Sequence, residues 1–162
     1  MADRLFRSKR FTIAAEPFDA ADSEALRAEL ARELADRYGG DSEPGAKLAG
    51  REVAVFLMAR DDRGEPAGCG ALRDLGGGAA EIKRMYVRPA SRGSGLAQRL
   101  LESLEAEAQA RGFTVCRLET GEHQPEAMAL YRRAGYEEID GFGAYAGMPL
   151  SRCFERRLET PA

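Results

Sequence analysis

Arg92-Gly93-Ser94-Gly95-Leu96-Ala97 stands between two stretches of different periodicity, and that junction decides the fold. Before it, Ala80-Glu81-Ile82-Lys83-Arg84-Met85-Tyr86-Val87-Arg88-Pro89 alternates in character and stops at a proline, which predicts a strand. After it, Leu96, Leu100, Leu104 and Ala108 recur every fourth residue with Ala97 and Leu101 beside them, which predicts an amphipathic helix. A glycine-rich turn from strand to helix leaves the first N–H groups of the helix without intrahelical acceptors. Those donors, with the positive end of the helix dipole, suit a phosphate or pyrophosphate. Arg92 adds a formal positive charge. The segment predicts a site for a phosphorylated cofactor; a glycine turn without a ligand is the alternative it leaves open.

What the turn lacks narrows the cofactor. A dinucleotide fingerprint starting at Gly93 would need a third glycine where Gln98 stands, and no Gly-Lys-Ser/Thr run of a nucleotide P-loop exists. The pattern present is Arg-x-x-Gly-x-Ala. It resembles the Gln/Arg-x-x-Gly-x-Gly/Ala loop with which the GNAT acetyltransferase superfamily holds the pyrophosphate of acetyl-coenzyme A. A second stretch, Ala127-Met128-Ala129-Leu130-Tyr131-Arg132-Arg133-Ala134-Gly135-Tyr136, is similar to the family's Ala-x-x-Leu-Tyr-x-x-x-Gly-Phe/Tyr signature. Pro125 suits the first turn of that helix and Gly135 its C-terminal cap. The resemblance covers residues 50–158 well and the first fifty loosely.

Size and composition agree with one domain spanning residues 1–162, with residues 1–10 a basic N-terminal arm. The hydrophobic fraction of 44% and charged fraction of 31% are those of a globular protein. No apolar run reaches the length of a membrane span, and the N-terminus lacks the apolar stretch of a secretion signal. Cys69, Cys116 and Cys153 each fall in an expected strand without metal-ligand spacing, and read as reduced core residues of a cytoplasmic protein. A single histidine, His123, excludes a multi-histidine metal site. The net charge of −3 and the lack of a basic cluster beyond the arm argue against nucleic acid.

Along the chain, strands are expected at 11–16, 52–60, from the 61–64 turn to about 75, from about 80 to 88, and at 113–119, 136–140 and 151–158. Leu26, Leu30, Leu34 and Tyr38 mark a helix over 18–38 that Asp19 or Asp22 could cap. Two glycine-rich loops, 39–50 and 141–149, interrupt the pattern. This is an α+β, or mixed α/β, chain. The resemblance implies a largely antiparallel sheet of six to seven strands, splayed between the fourth and fifth, with about four helices.

Transfer of an acetyl group from a thioester to an amine needs a neutral amine, a stabilised oxyanion and a proton donor for the departing thiolate. The family implies no covalent intermediate and no metal. It implies Tyr131 as the general acid at the thiolate; the alternative is a tyrosine packed with Ala127 and Ala134 on its own helix face. It implies Glu81 as a general base, against a carboxylate exposed and paired with Lys83 or Arg73. Simple alternation puts Glu81, Lys83 and Met85 on one face of the strand and Ile82, Arg84 and Tyr86 on the other. For acetyl-CoA, the resemblance carries backbone contacts onto Met85, Tyr86 and Val87, and pyrophosphate contacts onto Arg92, Gly93, Ser94, Gly95, Leu96 and Ala97, with Gln98 as an extra. Gln124 stands where the family often has an asparagine, one methylene shorter.

The chain is thus expected to be an acetyl-CoA-dependent N-acetyltransferase acting on a primary amine of a small molecule, as a monomer or homodimer. Both glycine-rich loops are expected to wall the acceptor site, with Phe142 and Tyr145 from the second and with Glu119 and Glu122 able to attract a cation. The alternatives are a protein or peptide amine as acceptor, a non-catalytic acyl-CoA-sensing module, and, more distantly, a dinucleotide-binding module.

Overall fold

A computed structural model describes residues 10–40 and 48–159. The elements are β1 (Thr12–Ala15), α1 (Ala21–Tyr38), β2 (Val53–Arg60), β3 (Pro66–Gly76), β4 (Ala79–Val87), α2 (Leu96–Ala110), β5 (Val115–Gly121), α3 (Pro125–Arg133), β6 (Glu137–Ile139) and β7 (Ser151–Arg157). One seven-stranded sheet runs in the order β1-β2-β3-β4-β5-β7-β6. Among the described strands only β4 and β5 pair in parallel, because α2 crosses over between them. Three α-helices are described, one fewer than expected, with single 3₁₀ turns at Gly50–Glu52, Pro89–Ser91 and Gly143–Tyr145. None of the described helices is long and apolar enough to cross a membrane.

The leucine spacing that predicted α2 is its buried stripe. Leu101, Leu104 and Ala108 pack on Leu72, Ile82, Leu118 and Phe154 across one face of the sheet. On the other face, Leu26 and Leu30 of α1 pack on Phe56, Met58, Ala71 and Tyr86. Cys69, Cys116 and Cys153 lie in β3, β5 and β7 as buried free thiols. Neither aspartate caps α1. Ala20 holds the N-cap position without a side-chain bond, and Asp22 instead pairs with Arg60 at 2.9 Å, which joins the first turn of α1 to β2.

Two departures from simple pairing shape the centre of the sheet. First, β4 pairs with β5 from Ala79↔Val115 only to Ile82↔Leu118, although both strands continue, so the sheet splays there as expected. Second, the register of β4 against β3 jumps between Cys69↔Tyr86 and Ala71↔Lys83, leaving Arg84 and Met85 opposite Gly70 alone. Arg84 has a φ of 58° at this bulge. The extra residue inverts the alternation expected for the end of the strand. Met85 joins Ile82 on the α2 face, and Tyr86 joins the α1 face.

Candidate active site

The splay opens a cavity of about 460 Å³ between the end of β4, the start of α2 and the side of α3. Gly93 and Gly95 hold φ values of 73° and 82°, left-handed conformations that glycine adopts without strain, and they turn the chain from β4 into α2. Gly95 caps α2 with no side-chain bond. The N–H groups from Gly93 to Gln98 meet no acceptor among the described residues. Several donors at a helix N-terminus in one short loop make an anion site.

A smaller cavity of about 90 Å³ adjoins the first, and Leu30, Met85, Gln124 and Tyr131 line both. Tyr131 is buried, its ring against Tyr136 and Phe154. Burial, reinforced by the charge of Glu119, pushes its phenol up to about 12. Glu81 lies in the smaller cavity at 1% exposure. Its Oε1 accepts from Arg73 at 2.6 Å, and its Oε2 accepts from the Tyr145 hydroxyl at 2.7 Å. Lys83 Nζ in turn donates to Tyr145 Oη at 2.9 Å. Burial first, then the neighbouring Glu81 charge, raises the Tyr145 phenol well above its ordinary value. Thr120 Oγ1, buried in the same cavity, has no hydrogen-bond partner among the described residues.

The larger cavity gathers most of the residues singled out in the sequence. Met85, Tyr86 and Val87 line it from β4, and Arg92, Gly93, Gly95, Leu96, Ala97 and Gln98 line it from the loop and α2. Ser94 does not: its hydroxyl turns back to the carbonyl of Ser91. The Arg92 guanidinium donates to Val87 O at 2.9 Å and Glu33 at 2.7 Å, two residues that line the same cavity. Gln124 Oε1 accepts from Gly121 N and Tyr38 Oη, which leaves its Nε2 for the cavity. Glu81 is not exposed: burial and Arg73 define its setting, and Lys83 Nζ donates to the same Tyr145 hydroxyl that donates to Glu81.

This arrangement has relatives. The profile of the acetyltransferase (GNAT) family matches residues 16–136. The chain belongs to the GNAT family. The IAA acetyltransferase of Azospirillum brasilense is 42% identical over 139 residues, which take in 80% of this chain and 89% of that one. A Klebsiella pneumoniae structure assigned as an acyl-CoA N-acyltransferase superposes with a TM-score of 0.80 at 37% identity, covering 92% of this chain and 98% of its own. A GNAT acetyltransferase from Elizabethkingia anophelis, crystallised with acetyl-CoA bound, shares the fold at a TM-score of 0.68 and 16% identity, over 91% and 98% of the two chains.

As a GNAT protein the chain is an acyltransferase, and its site includes groups that the sequence motifs did not single out. Tyr38, at the end of α1, accepts from His123 N at 3.1 Å, donates to Gln124 and stacks on the His123 ring at 4.6 Å. It pins α1 to the loop before α3. Gly121 admits this contact because a Cβ there would stand 1.7 Å from Tyr38 Oη. The helical stripe ending at Tyr38 was the only sequence signal for it. Of the two loops expected at the acceptor site, 141–149 supplies Tyr145 to the smaller cavity, and 41–47 lies outside the described residues, as does most of the N-terminal arm.

Proposed function

We propose that this GNAT protein is an acetyl-CoA-dependent N-acetyltransferase that acylates a primary amine of a small molecule by direct transfer in a ternary complex. The observation that carries the reading is Tyr131, which stands in the wall shared by two cavities of different character. The larger has the open N–H donors of residues 93–98 for a diphosphate, and beside them β4 residues 83–87, which have no β5 partner, for an extended polar arm. The smaller is polar and sized for the amine-bearing end of an acceptor.

Acetyl-CoA, when bound, supplies the activated acetyl group and leaves as the free thiol. Loop 93–98 holds the diphosphate and fixes its position along the splay. Tyr131 carries its proton at neutral pH, as any phenol does, and burial pushes it up further to about 12. The acceptor reacts as the free amine, its ammonium proton having gone to solvent; Tyr131 Oη gives its proton to the departing sulfur and regains the one that the nitrogen loses on acylation. Glu81 has both oxygens engaged, so its part is to hold Tyr145 and Lys83 in place around the acceptor rather than to take a proton directly.

Calorimetric titration with acetyl-CoA, CoA and NADH tests the cofactor, and a panel of amines added to the acetyl-CoA complex tests the transfer. Micromolar binding of acetyl-CoA, no heat with NADH, and release of free thiol on adding an amine are expected. Silence from acetyl-CoA would overturn the reading.

A further inference from the structure

Thr120 lies near the end of β5 at 5% exposure, in the wall of the smaller cavity, and its Oγ1 meets no hydrogen-bond partner among the described residues. Buried hydroxyls are as a rule satisfied, and one left without a partner costs free energy that a valine of the same shape would not. Such a group makes physical sense where a substrate supplies the missing bond. Threonine carries its hydroxyl and methyl on one carbon, so a single rotation about Cα–Cβ turns Oγ1 to a ligand in the cavity.

Position selects the ligand. Strand alternation sets Thr120 on the same face of β5 as Cys116 and Leu118, which pack in the cluster that holds Tyr131. Thr120 lines the smaller cavity and not the larger, so it stands with the acceptor rather than with the diphosphate. The polar groups around it are engaged. Tyr145 Oη donates to Glu81 and accepts from Lys83, Arg73 takes the other Glu81 oxygen, and Gln124 Oε1 accepts from Gly121 N and Tyr38. Thr120 Oγ1 is the buried side-chain oxygen left over among the described residues.

A neutral primary amine has two N–H groups and one lone pair. The lone pair forms the new bond to the acetyl carbon as the carbon–sulfur bond breaks. One N–H proton passes to Tyr131 Oη, which gives its own to sulfur, and the second stays on the amide product. Resting on the proposed acetyltransferase reading, we infer that Thr120 Oγ1 accepts the second N–H and so selects primary over secondary amines. The contact aims the lone pair at the acetyl carbon. It strengthens as the nitrogen gains positive charge in the transition state, so it acts on rate as well as on binding. A secondary amine surrenders its one N–H proton and has none left for Thr120.

Thr120→Val keeps the shape and the β-branching and removes the hydroxyl, whereas Thr120→Ser keeps the hydroxyl. Thiol release from acetyl-CoA is measured in both variants and the unsubstituted protein, with benzylamine beside N-methylbenzylamine and glycine beside sarcosine. In Thr120→Val, kcat/KM for the primary amines should fall at least ~5-fold, about the worth of one hydrogen bond, and the primary-to-N-methyl ratio should fall with it. Valine fills the same space, so any steric rejection of the methyl persists and the change in ratio reads the hydrogen bond. Thr120→Ser should keep the ratio within about threefold, and neither variant should change the acetyl-CoA dissociation constant by more than that. Thr120→Val should melt no lower than the unsubstituted protein and up to roughly 5 °C higher, because an unsatisfied hydroxyl has left the interior. An unaltered ratio in Thr120→Val, as a purely structural role would give, or a melting point lowered by more than roughly 3 °C would overturn the assignment. If acetyl-CoA binds and neither primary amine is turned over, the melting comparison decides alone. Absence of acetyl-CoA binding sinks the acetyltransferase reading and this inference with it; turnover with an unaltered ratio sinks this inference only.

Discussion

Tyr145 Oη donates to Glu81 Oε2 across 2.7 Å, joining two buried groups that lie 64 residues apart in the chain. The bond fastens the loop after β6 to the middle of β4, where Lys83 and Arg73 complete a chain of four polar groups. Replacing Glu81 by Gln leaves Arg73 without its countercharge and should cost roughly 1–3 kcal/mol by urea unfolding. Acetylation should slow across the range, while the shape of the kcat/KM profile between pH 6 and 9 is retained. Loss of the acidic limb in that variant would make Glu81 the base instead.

Tyr131→Phe removes only the phenolic oxygen from a well-packed site. Turnover should fall roughly 10- to 1,000-fold. The dissociation constant for acetyl-CoA should change by less than about threefold, since loop 93–98 is untouched and, in the proposed reaction, the lost group acts on the departing sulfur. Steady-state kinetics beside calorimetry separate the two, and undiminished kcat would remove the general-acid role.

Gly95→Asp places a carboxylate in the anion site at a φ of 82° and should weaken acetyl-CoA binding by at least ~100-fold. Gly95→Asn is the control for backbone conformation, because asparagine accepts the same φ without the charge. The pair should differ by ~10-fold or more; equal affinities would mean that the loop does not contact a phosphate.

Burial raises the Cys69 and Cys116 thiols from 9.0 to about 12, and the Tyr131 phenol from 10.0 to about 12. The folded chain therefore keeps protons that the unfolded chain releases. Stability is fully present below pH 9 and falls as pH rises from 9 to 12. The urea midpoint should be lower at pH 10.5 than at pH 7.5. An unchanged midpoint would contradict the burial of these groups.

Tyr38→Phe deletes one donated and one accepted hydrogen bond between α1 and the loop before α3, and should cost about 1–2 kcal/mol. Gly121→Ala, which forces a methyl onto Tyr38, should cost about 1–3 kcal/mol. Melting curves of the two variants test the pin; full stability in Gly121→Ala would show that α1 is free to move aside.

Features with local causes were legible in the sequence. The four-residue spacing of Leu96, Leu100 and Leu104 fixes the buried face of α2 without reference to any partner. The glycines at 93 and 95 announce a turn that the backbone requires. Features set by distant partners were not legible. The bulge at Arg84 inserts one residue into an alternating run, and an arginine gives no local sign of a positive φ. Asp22 is of a residue type that caps helices yet goes to Arg60, a partner supplied by β2. Tyr145 reads as one aromatic in a glycine-rich loop, and its place beside Glu81 exists only once β7 has paired with β5. The smaller cavity has such contributors on several sides, which is why the sequence marked the groove more fully than the acceptor side.

The parallel seam between β4 and β5 is four pairings wide, the slightest join within the central strands of the sheet. On one side lies a four-stranded leaf with loop 93–98 at its edge; on the other lie β5, β7 and β6, with α3 carrying Tyr131. A molecule lodged in the splay touches both leaves and acts as a rivet through a narrow weld. Its grip on the protein and the rigidity of the protein then rise together, because both depend on the same narrow join.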